Sequence, residues 1–284
     1  MFFVGHTRFS LYLPGSTAWA ATRRFSSAEE YQAYLFSEER LAPRAEMFFE
    51  RSLPQIDLAV RSHRVQHIVS YSDVLPSDYK NRMHEASTKY PWLVLDEYED
   101  GRGKYNADRV AANMLRHNGV AGGIYGNYRL DDDDLLAVDY FDRMAAHMHD
   151  SSVGMYVSLG AGITAIQSAG RFWNARHVMQ RMFSAGLLSV CRRNEDGTVD
   201  RPLNYFSHHL ADQRSPVISD SRSPGFFWNR TVLQDTSFST SEVDLPRLNN
   251  ELSRLRSPAS THEVIDLFPV MQGLVELEAA PVAS

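Results

Sequence analysis

Cysteine is nearly absent from this chain. The single thiol, Cys191, excludes an internal disulfide framework and a cysteine-based zinc site, and it fits a reducing compartment. Long apolar runs are missing as well: none approaches the roughly 18–20 residues that a membrane span needs. The N-terminus, Met1-Phe-Phe-Val-Gly-His-Thr-Arg, meets charge too early for a secretory signal. The expectation is a cytoplasmic protein with no membrane span, which meets a membrane peripherally at its inner face when its substrate is lipid-linked. There is no excess of positive charge either. The net charge is −6 over 284 residues, so no global basic field is available to hold nucleic acid. GxGxxG, GxxxxGK[ST] and HExxH are all lacking, and Gly160-Ala-Gly162 is too short to cradle a phosphate. These absences argue against classical dinucleotide, P-loop and zincin enzymes. No internal repeat is present.

What remains is an ordinary globular composition, 43% hydrophobic and 23% charged. Patterning along the first 150 residues alternates between strand and helix. Phe2-Phe-Val-Gly reads as a short buried strand, and residues 11–28 as a long loop rich in Pro, Gly, Ser and Thr. Leu41, Ala45, Phe48, Phe49 and Leu53 recur at helical spacing, with Pro43 near the start, where it is tolerated. Val65–Tyr71 predicts a second strand, Pro76–Tyr90 a helix, and Trp92-Leu-Val-Leu a third strand. Asp108 is placed to cap a helix that runs to His117. Gly122 to Leu130 predicts a fourth strand, and Leu135–Met148 another helix. Such alternation implies βαβ units and a mostly parallel sheet flanked by helices. Beyond residue 150 the character changes. Val153–Ile166 reads as strand-turn-strand, residues 192–241 are loop-rich, and helices are expected near 245–255 and 261–274. The chain therefore divides into an α/β half, 1–150, and a second half, 151–284, within a single domain.

The main anomaly is Arg129-Leu-Asp-Asp-Asp-Asp-Leu-Leu. Four adjacent carboxylates, Asp131 to Asp134, repel one another and demand a counter-charge. Open α/β sheets put their ligands outside the carboxyl ends of the strands. Two carboxylates there suit Mg²⁺ or Mn²⁺, whose open positions take phosphate oxygens and which neutralises a departing diphosphate. Alternation along an extended segment pairs Asp131 with Asp133, or Asp132 with Asp134. A helix N-terminus is the blander explanation, because aspartate at the cap and first turn contributes about 0.3–1 kcal/mol per charge. One or two aspartates meet that need and four exceed it. Arg129 can offset part of the charge without metal. A structural calcium loop lacks its EF-hand spacing.

Several segments together resemble a bacterial family described as putative rhamnosyl transferases: Val4-Gly-His-Thr-Arg-Phe-Ser, Tyr34-Leu-Phe-Ser-Glu-Glu-Arg-Leu-Ala-Pro-Arg, Ser52-Leu-Pro and Ser70-Tyr-Ser-Asp-Val-Leu-Pro. The aspartate run resembles the DxD element of GT-A glycosyltransferases. The resemblance extends from residue 1 to about 240. It implies a GT-A-like, Rossmann-type α/β fold with a loop-rich acceptor region. It implies transfer of a sugar, rhamnose by the family's label, from a nucleotide-diphosphate donor such as dTDP-rhamnose to a glycan or glycolipid hydroxyl in bacterial polysaccharide or glycolipid synthesis, with Mn²⁺ or Mg²⁺ as cofactor. Thr7, Arg8 and Phe9 are implied at the base or ribose, with Asp96 or Glu97 after the third strand. Arg129 and Asp131 are implied beside the phosphates, with Asp132 shared between nucleotide and metal. Asp133 and Asp134 complete the metal set, with His208 or His209 as a C-terminal ligand. Where the family leads one to look for a histidine near a Ser/Asp pair, this chain has Arg230-Thr-Val-Leu-Gln-Asp235-Thr-Ser. Asp235 then takes that place, or water does.

An inverting transfer needs a base near the acceptor hydroxyl, and the candidates are Asp212, Asp220 and Asp235, all in the loop-rich half. Trp173, Phe226, Phe227 and Trp228 are either a sugar-stacking platform or core. Two other readings stay open. A phosphohydrolase or nucleotidyltransferase also clusters carboxylates around Mg²⁺, though usually from separate segments. A non-catalytic carbohydrate-binding protein would use the aspartates as a solvated cap.

Overall fold

The computed structural model describes residues 1–13, 25–98, 106–204, 207–232, 244–255 and 260–281. An eight-stranded sheet forms the centre, in the order β11-β6-β9-β4-β1-β2-β3, with β10 paired to β9. Its strands are β1 (Phe2–Arg8), β2 (Arg64–Ser72), β3 (Leu93–Tyr98), β4 (Gly123–Arg129), β6 (Tyr156–Leu159), β9 (Leu188–Arg193), β10 (Val199–Asp200) and β11 (Val217–Asp220). The pairs β1–β2, β2–β3, β1–β4 and β6–β11 are parallel, and β9 runs antiparallel to both β4 and β6. The C-terminal ends of β1, β2, β3, β4, β6 and β11 therefore open at one edge. The expected mixed α/β fold with a large, mostly parallel sheet is what the chain forms.

A second sheet grows from that edge in the order β5-β12-β7-β8: β5 (Leu135–Leu136), β7 (Ala161–Ser168), β8 (Arg171–Met179) and β12 (Phe226–Arg230). The chain crosses from one sheet to the other at Gly160, between β6 and β7, and again between β11 and β12. Val153–Ile166 thus supplies two strands, as the sequence predicts, but in different sheets rather than as one hairpin. β8 and β9 carry no clear sequence signal, and β10, β11 and β12 lie within the stretch read as loop-rich.

Helices cover both faces of the main sheet. On one side α2 (Glu38–Met47), α3 (Leu53–Val60) and α4 (Ser77–Lys89) pack in a core with Phe3, Val65 and Val69. On the other, α5 (Ala107–His117) buries Ala107 and Ala111 against Val4, Ile68 and Tyr125. Full burial of an apolar side chain of valine to phenylalanine size contributes about 1.5–3 kcal/mol, so these two layers fix the sheet. Asn106, not Asp108, caps α5, its side chain accepting from Arg109 N at 2.9 Å. Asp108 instead accepts from the Tyr125 hydroxyl at 2.6 Å and from Arg201 at 2.6 Å. α1 (Ala28–Leu35) opens on Ser27, which accepts from Glu30 N. The long helix expected over Leu135–Met148 is replaced by β5 and a short α6 (Tyr140–Ala145). Leu135 and Leu136 are fully buried and pair with Phe227 and Phe226 of β12. Tertiary pairing overrides the helical preference of leucine there.

Gly5, in the middle of β1, permits the closest approach in this core. A Cβ there would overlap the His67 ring and the Tyr128 phenol. Those two side chains are themselves fixed, His67 Nδ1 lying 2.9 Å from the Tyr128 hydroxyl. Gly5→Ala is expected to destabilise the fold by about 3 kcal/mol, the upper range for overpacking a rigid core. Urea unfolding measures this, and a cost below about 1 kcal/mol would mean the contact is soft.

Candidate functional site

The aspartates occupy a turn between β4 and β5, where the two sheets meet. Asp134 N donates to Asp131 O at 3.3 Å and closes the turn. The four carboxylates separate by orientation. Asp132 and Asp134 are buried, whereas the side chains of Asp131 and Asp133 retain 35% and 14% exposure. Each is held differently. Asp131 Oδ1 accepts from Arg129 Nη2 at 2.7 Å and from Nε at 3.1 Å, and its Oδ2 accepts from the Ser184 hydroxyl at 3.2 Å. Asp132 Oδ1 accepts from Arg44 Nη1 at 2.6 Å, and its Oδ2 from Ser10 N at 3.4 Å. Arg44 Nη1 also lies 3.7 Å from Asp133 Oδ2. Asp134 turns inward and accepts from Asn229 N of β12 at 3.2 Å. Burial, reinforced by Asp133 and Asp131, pushes its carboxyl well above the usual aspartate range. Two guanidinium groups, Arg44 and Arg129, pair with the run.

Three structural devices build this arrangement. Thr7, at the end of β1, donates to Leu130 O at 2.8 Å and lies 2.9 Å from His67 Nε2, fixing the approach to the run. Ser10 adopts a left-handed backbone, φ 41°, which costs a non-glycine residue free energy and recurs at functional sites. That conformation aims its amide at Asp132, while its hydroxyl accepts from Arg40 Nη1 at 3.1 Å. Between α2 and α3, a π-helical turn at Phe48–Ser52 re-phases the helix. Ser52 donates to Asp134 O at 3.1 Å and Gln55 to Leu136 O at 3.0 Å, which clamps the turn from below. Ser10, Arg40, Arg44 and Ser52 lie in the segments that carry the family resemblance but were given no role there, and Ser184 was not singled out. A further signal for the arginines is the i, i+4 spacing of Arg40 and Arg44, which puts both guanidinium groups on one face of a helix.

The other predicted residues fall into distinct places. Thr7 and Phe9 are fully buried, Phe9 among Phe48 and Phe49, and Arg8 is exposed. Asp96 is buried at the end of β3 and accepts from the Ser70 hydroxyl at 2.7 Å, with His6 Nε2 behind it, 2.9 Å from the same hydroxyl. Glu97 pairs with Lys80 at 2.8 Å. Burial holds His6 and His67 neutral, each pushed down to about 3, with Arg8 a further cause for His6. His208 is partly buried on a 3-10 segment, its Nδ1 at Met182 O. Burial lowers its pKa, and it also feels Arg129 and Asp131. His209 is exposed beside it, the two ring centroids 3.8 Å apart. Asp212 is exposed on the same segment. Asp220 is gripped by Arg222 at 2.9 and 3.0 Å, which holds its carboxyl well below the usual range. Asp235 lies outside the described residues. Of the four aromatics, Phe226 and Phe227 are core, Trp173 packs in the cluster around Leu248 and Leu252, and Trp228 is partly exposed between Phe183, at 5.1 Å, and the Arg230 guanidinium, at 4.5 Å.

Among the described residues no three His, Cys, Asp or Glu side chains converge on a metal position. The donor set, partly exposed Asp131 and Asp133 beside buried Asp132, fits a hard divalent ion held by one or two carboxylates with water and phosphate oxygens completing its shell. It does not fit a closed protein cage.

Open α/β sheets take their ligands outside the carboxyl ends of the strands, and the aspartate turn lies there, after β4. The chain belongs to the family described as putative rhamnosyl transferase, which matches residues 3–239, and is grouped by it with the glycosyltransferases. No curated protein matches it. Among solved structures, TarS of S. aureus is 11% identical over 93% of this chain and 46% of that chain, TM-score 0.36. This chain thus spans less than half the length of that TarS structure. The inositol-1-phosphate CTP transferase from T. maritima is 9% identical over 88% of this chain and 95% of that one, TM-score 0.33. A putative nucleotide-diphospho-sugar transferase from Desulfovibrio desulfuricans G20 is 12% identical over 89% and 96%, TM-score 0.32. Likeness at these scores is one of outline and carries no functional inference.

Proposed function

We propose that this chain transfers a sugar, rhamnose by its family's description, from a nucleotide-diphosphate donor to a hydroxyl on a glycan or glycolipid acceptor. The observation that supports this most is the aspartate turn at the strand ends, in which buried Asp132 is cross-linked to Arg44 and to the strained amide of Ser10. The donor's nucleoside lies over the ends of β1 to β3, near Arg8 and Asp96. Its diphosphate lies over the aspartates. A Mn²⁺ or Mg²⁺ ion held by Asp133 with Asp131 or Asp132 would supply Lewis-acid neutralisation of the departing diphosphate. Arg44 and Arg129 add forked donors suited to phosphate oxygens.

In the transfer, the bond from the anomeric carbon to the diphosphate oxygen breaks. A bond from that carbon to the acceptor oxygen forms, and the acceptor's proton passes to a base. Asp220 suits that last role poorly, because the Arg222 pair stabilises its ionised form and lowers its proton affinity. Asp212 and Asp235 remain the carboxylate candidates. Trp228, half-open beside Phe183, offers a face for sugar stacking on the acceptor side. On this reading the transfer takes place in the cytoplasm or at the inner membrane face, where nucleotide sugars are made. No described helix is long and apolar enough to cross a membrane.

Incubation with dTDP-, UDP- and GDP-sugars, Mn²⁺ and an extract of the source organism's glycans and glycolipids, read by mass spectrometry, tests the reading. A new product larger by one sugar residue, formed from one donor class, is expected. Release of phosphate from donors with no requirement for acceptor would instead favour a phosphohydrolase.

A further inference from the structure

The position of Arg44 fits poorly with a purely structural role. It sits in the last turn of α2, its side chain only 12% exposed, with one nitrogen 2.6 Å from Asp132 and 3.7 Å from Asp133. Those are the carboxylates on which a divalent ion would sit. A guanidinium 2.6 Å from Asp132 Oδ1 repels a second cation brought to the same carboxylates and takes up lone pairs it would use, so arginine and ion compete for them. The neighbouring geometry offers the arginine a second partner. Two further donors, the Ser10 amide on Asp132 and the Arg129 fork on Asp131, face the same turn, and a diphosphate brought there is an oxyanion that a guanidinium binds as well as it binds a carboxylate.

We propose, on the basis of the function above, that Arg44 is an exchangeable counterion. In the empty protein it neutralises Asp132 and Asp133 and suppresses ion binding. When the donor arrives with its metal, Arg44 leaves the carboxylates to the ion and pairs with the diphosphate. Ion and nucleotide then bind together rather than separately, because each one's site is completed by the displacement the other brings about. This keeps a buried carboxylate pair from ever being uncompensated, the state that costs most in a low-dielectric site. It also limits loading of the site with free metal.

The consequence has opposite signs for the two ligands. Mn²⁺ alone, titrated by electron paramagnetic resonance of the free ion, is expected to bind Arg44→Gln at least about 5-fold more tightly than wild type, the low end for a coupled site. Titration of dTDP and UDP by calorimetry at saturating Mn²⁺ is expected to show the opposite, binding about tenfold weaker, from loss of one charge-assisted contact. Glutamine keeps the side chain's polar character and removes its charge. Equal or weaker Mn²⁺ binding in folded Arg44→Gln overturns the proposal. Should that variant fail to fold by circular dichroism, Arg44→Lys decides. Its retained charge is expected to leave Mn²⁺ binding within about 2-fold of wild type while the loss of the fork weakens nucleotide binding, and unchanged nucleotide affinity overturns the exchange. A wild type that binds neither ion nor nucleotide removes the transferase reading and this one with it. A wild type that binds both, with variants that show no opposite signs, removes only the exchange.

Discussion

Replacing Asp132 and Asp133 together by asparagine is expected to lower kcat/KM for sugar transfer about 10³-fold with the fold intact. The size follows from what the pair would supply. Stabilising charge as it develops on a leaving group contributes several kcal/mol, and loss of even one preorganised partner in such a site costs about 10²–10³ in kcat. The fold should survive because asparagine is isosteric. Its one side-chain oxygen keeps the closer of the two contacts that Asp132 makes now, from Arg44 to Oδ1, while the longer one from Ser10 N to Oδ2 is lost. Steady-state kinetics with thermal unfolding as a control separates the outcomes. A variant that unfolds near the wild-type temperature yet keeps full activity would make the run a solvated cap and nothing more. Asp134 differs from its neighbours in this respect. It faces Asn229 N in the second sheet, so its main contact is structural.

The second large effect is a loss of stability in acid. His6 and His67 are buried in the sheet and held neutral, each with a pKa near 3 against 6.5 when exposed, chiefly because burial penalises the imidazolium. Both folded values are depressed, so between pH 6.5 and 3 the unfolded chain binds protons that the native state refuses. Stability is full above pH 6.5 and falls as the pH drops through that window. Each histidine contributes about 1.4 kcal/mol per pH unit, so the pair removes about 5 kcal/mol between pH 7.5 and 4.5. That is comparable to the whole stability of many domains. Urea unfolding at intervals from pH 7.5 to 4.5 measures it. His6→Gln, which can still meet Ser70, is expected to roughly halve the slope, and an unchanged slope would assign the acid sensitivity elsewhere.

The first half of the fold was legible because its signals are local. β2, α4, β3 and β4 are bounded by turn residues; β2, α4 and β4 form within a residue or two of their predicted ends, and β3 runs three residues further, to Tyr98. The second half was not. β9 is inserted antiparallel between β4 and β6, and β5 exists only because β12 pairs with it. Such strands are specified by partners from 31 to 92 residues away, which no window along the sequence contains. The site divides in the same way. The aspartate run and Arg129 are adjacent in sequence and were evident from charge alone. Ser10, Arg44 and Ser184 reach the aspartates from 53 to 122 residues away, brought there by the end of β1, by α2 and by the approach to β9. Thr7 and Phe9 show another limit. The resemblance implies both at the nucleotide; in the fold one latches the end of β1 to Leu130 and the other packs in the core, contacts that no local pattern displays.

Calorimetric titration of a nucleoside diphosphate, dTDP first and UDP second, into the wild-type protein with Mn²⁺ and then with EDTA tests the central claim most directly. The account predicts binding at least about tenfold tighter with Mn²⁺, and loss of that difference in the Asp132→Asn, Asp133→Asn double variant. Equal binding with and without the ion, or an ion-dependent gain that persists in the double variant, would contradict a metal-diphosphate site at the aspartate turn.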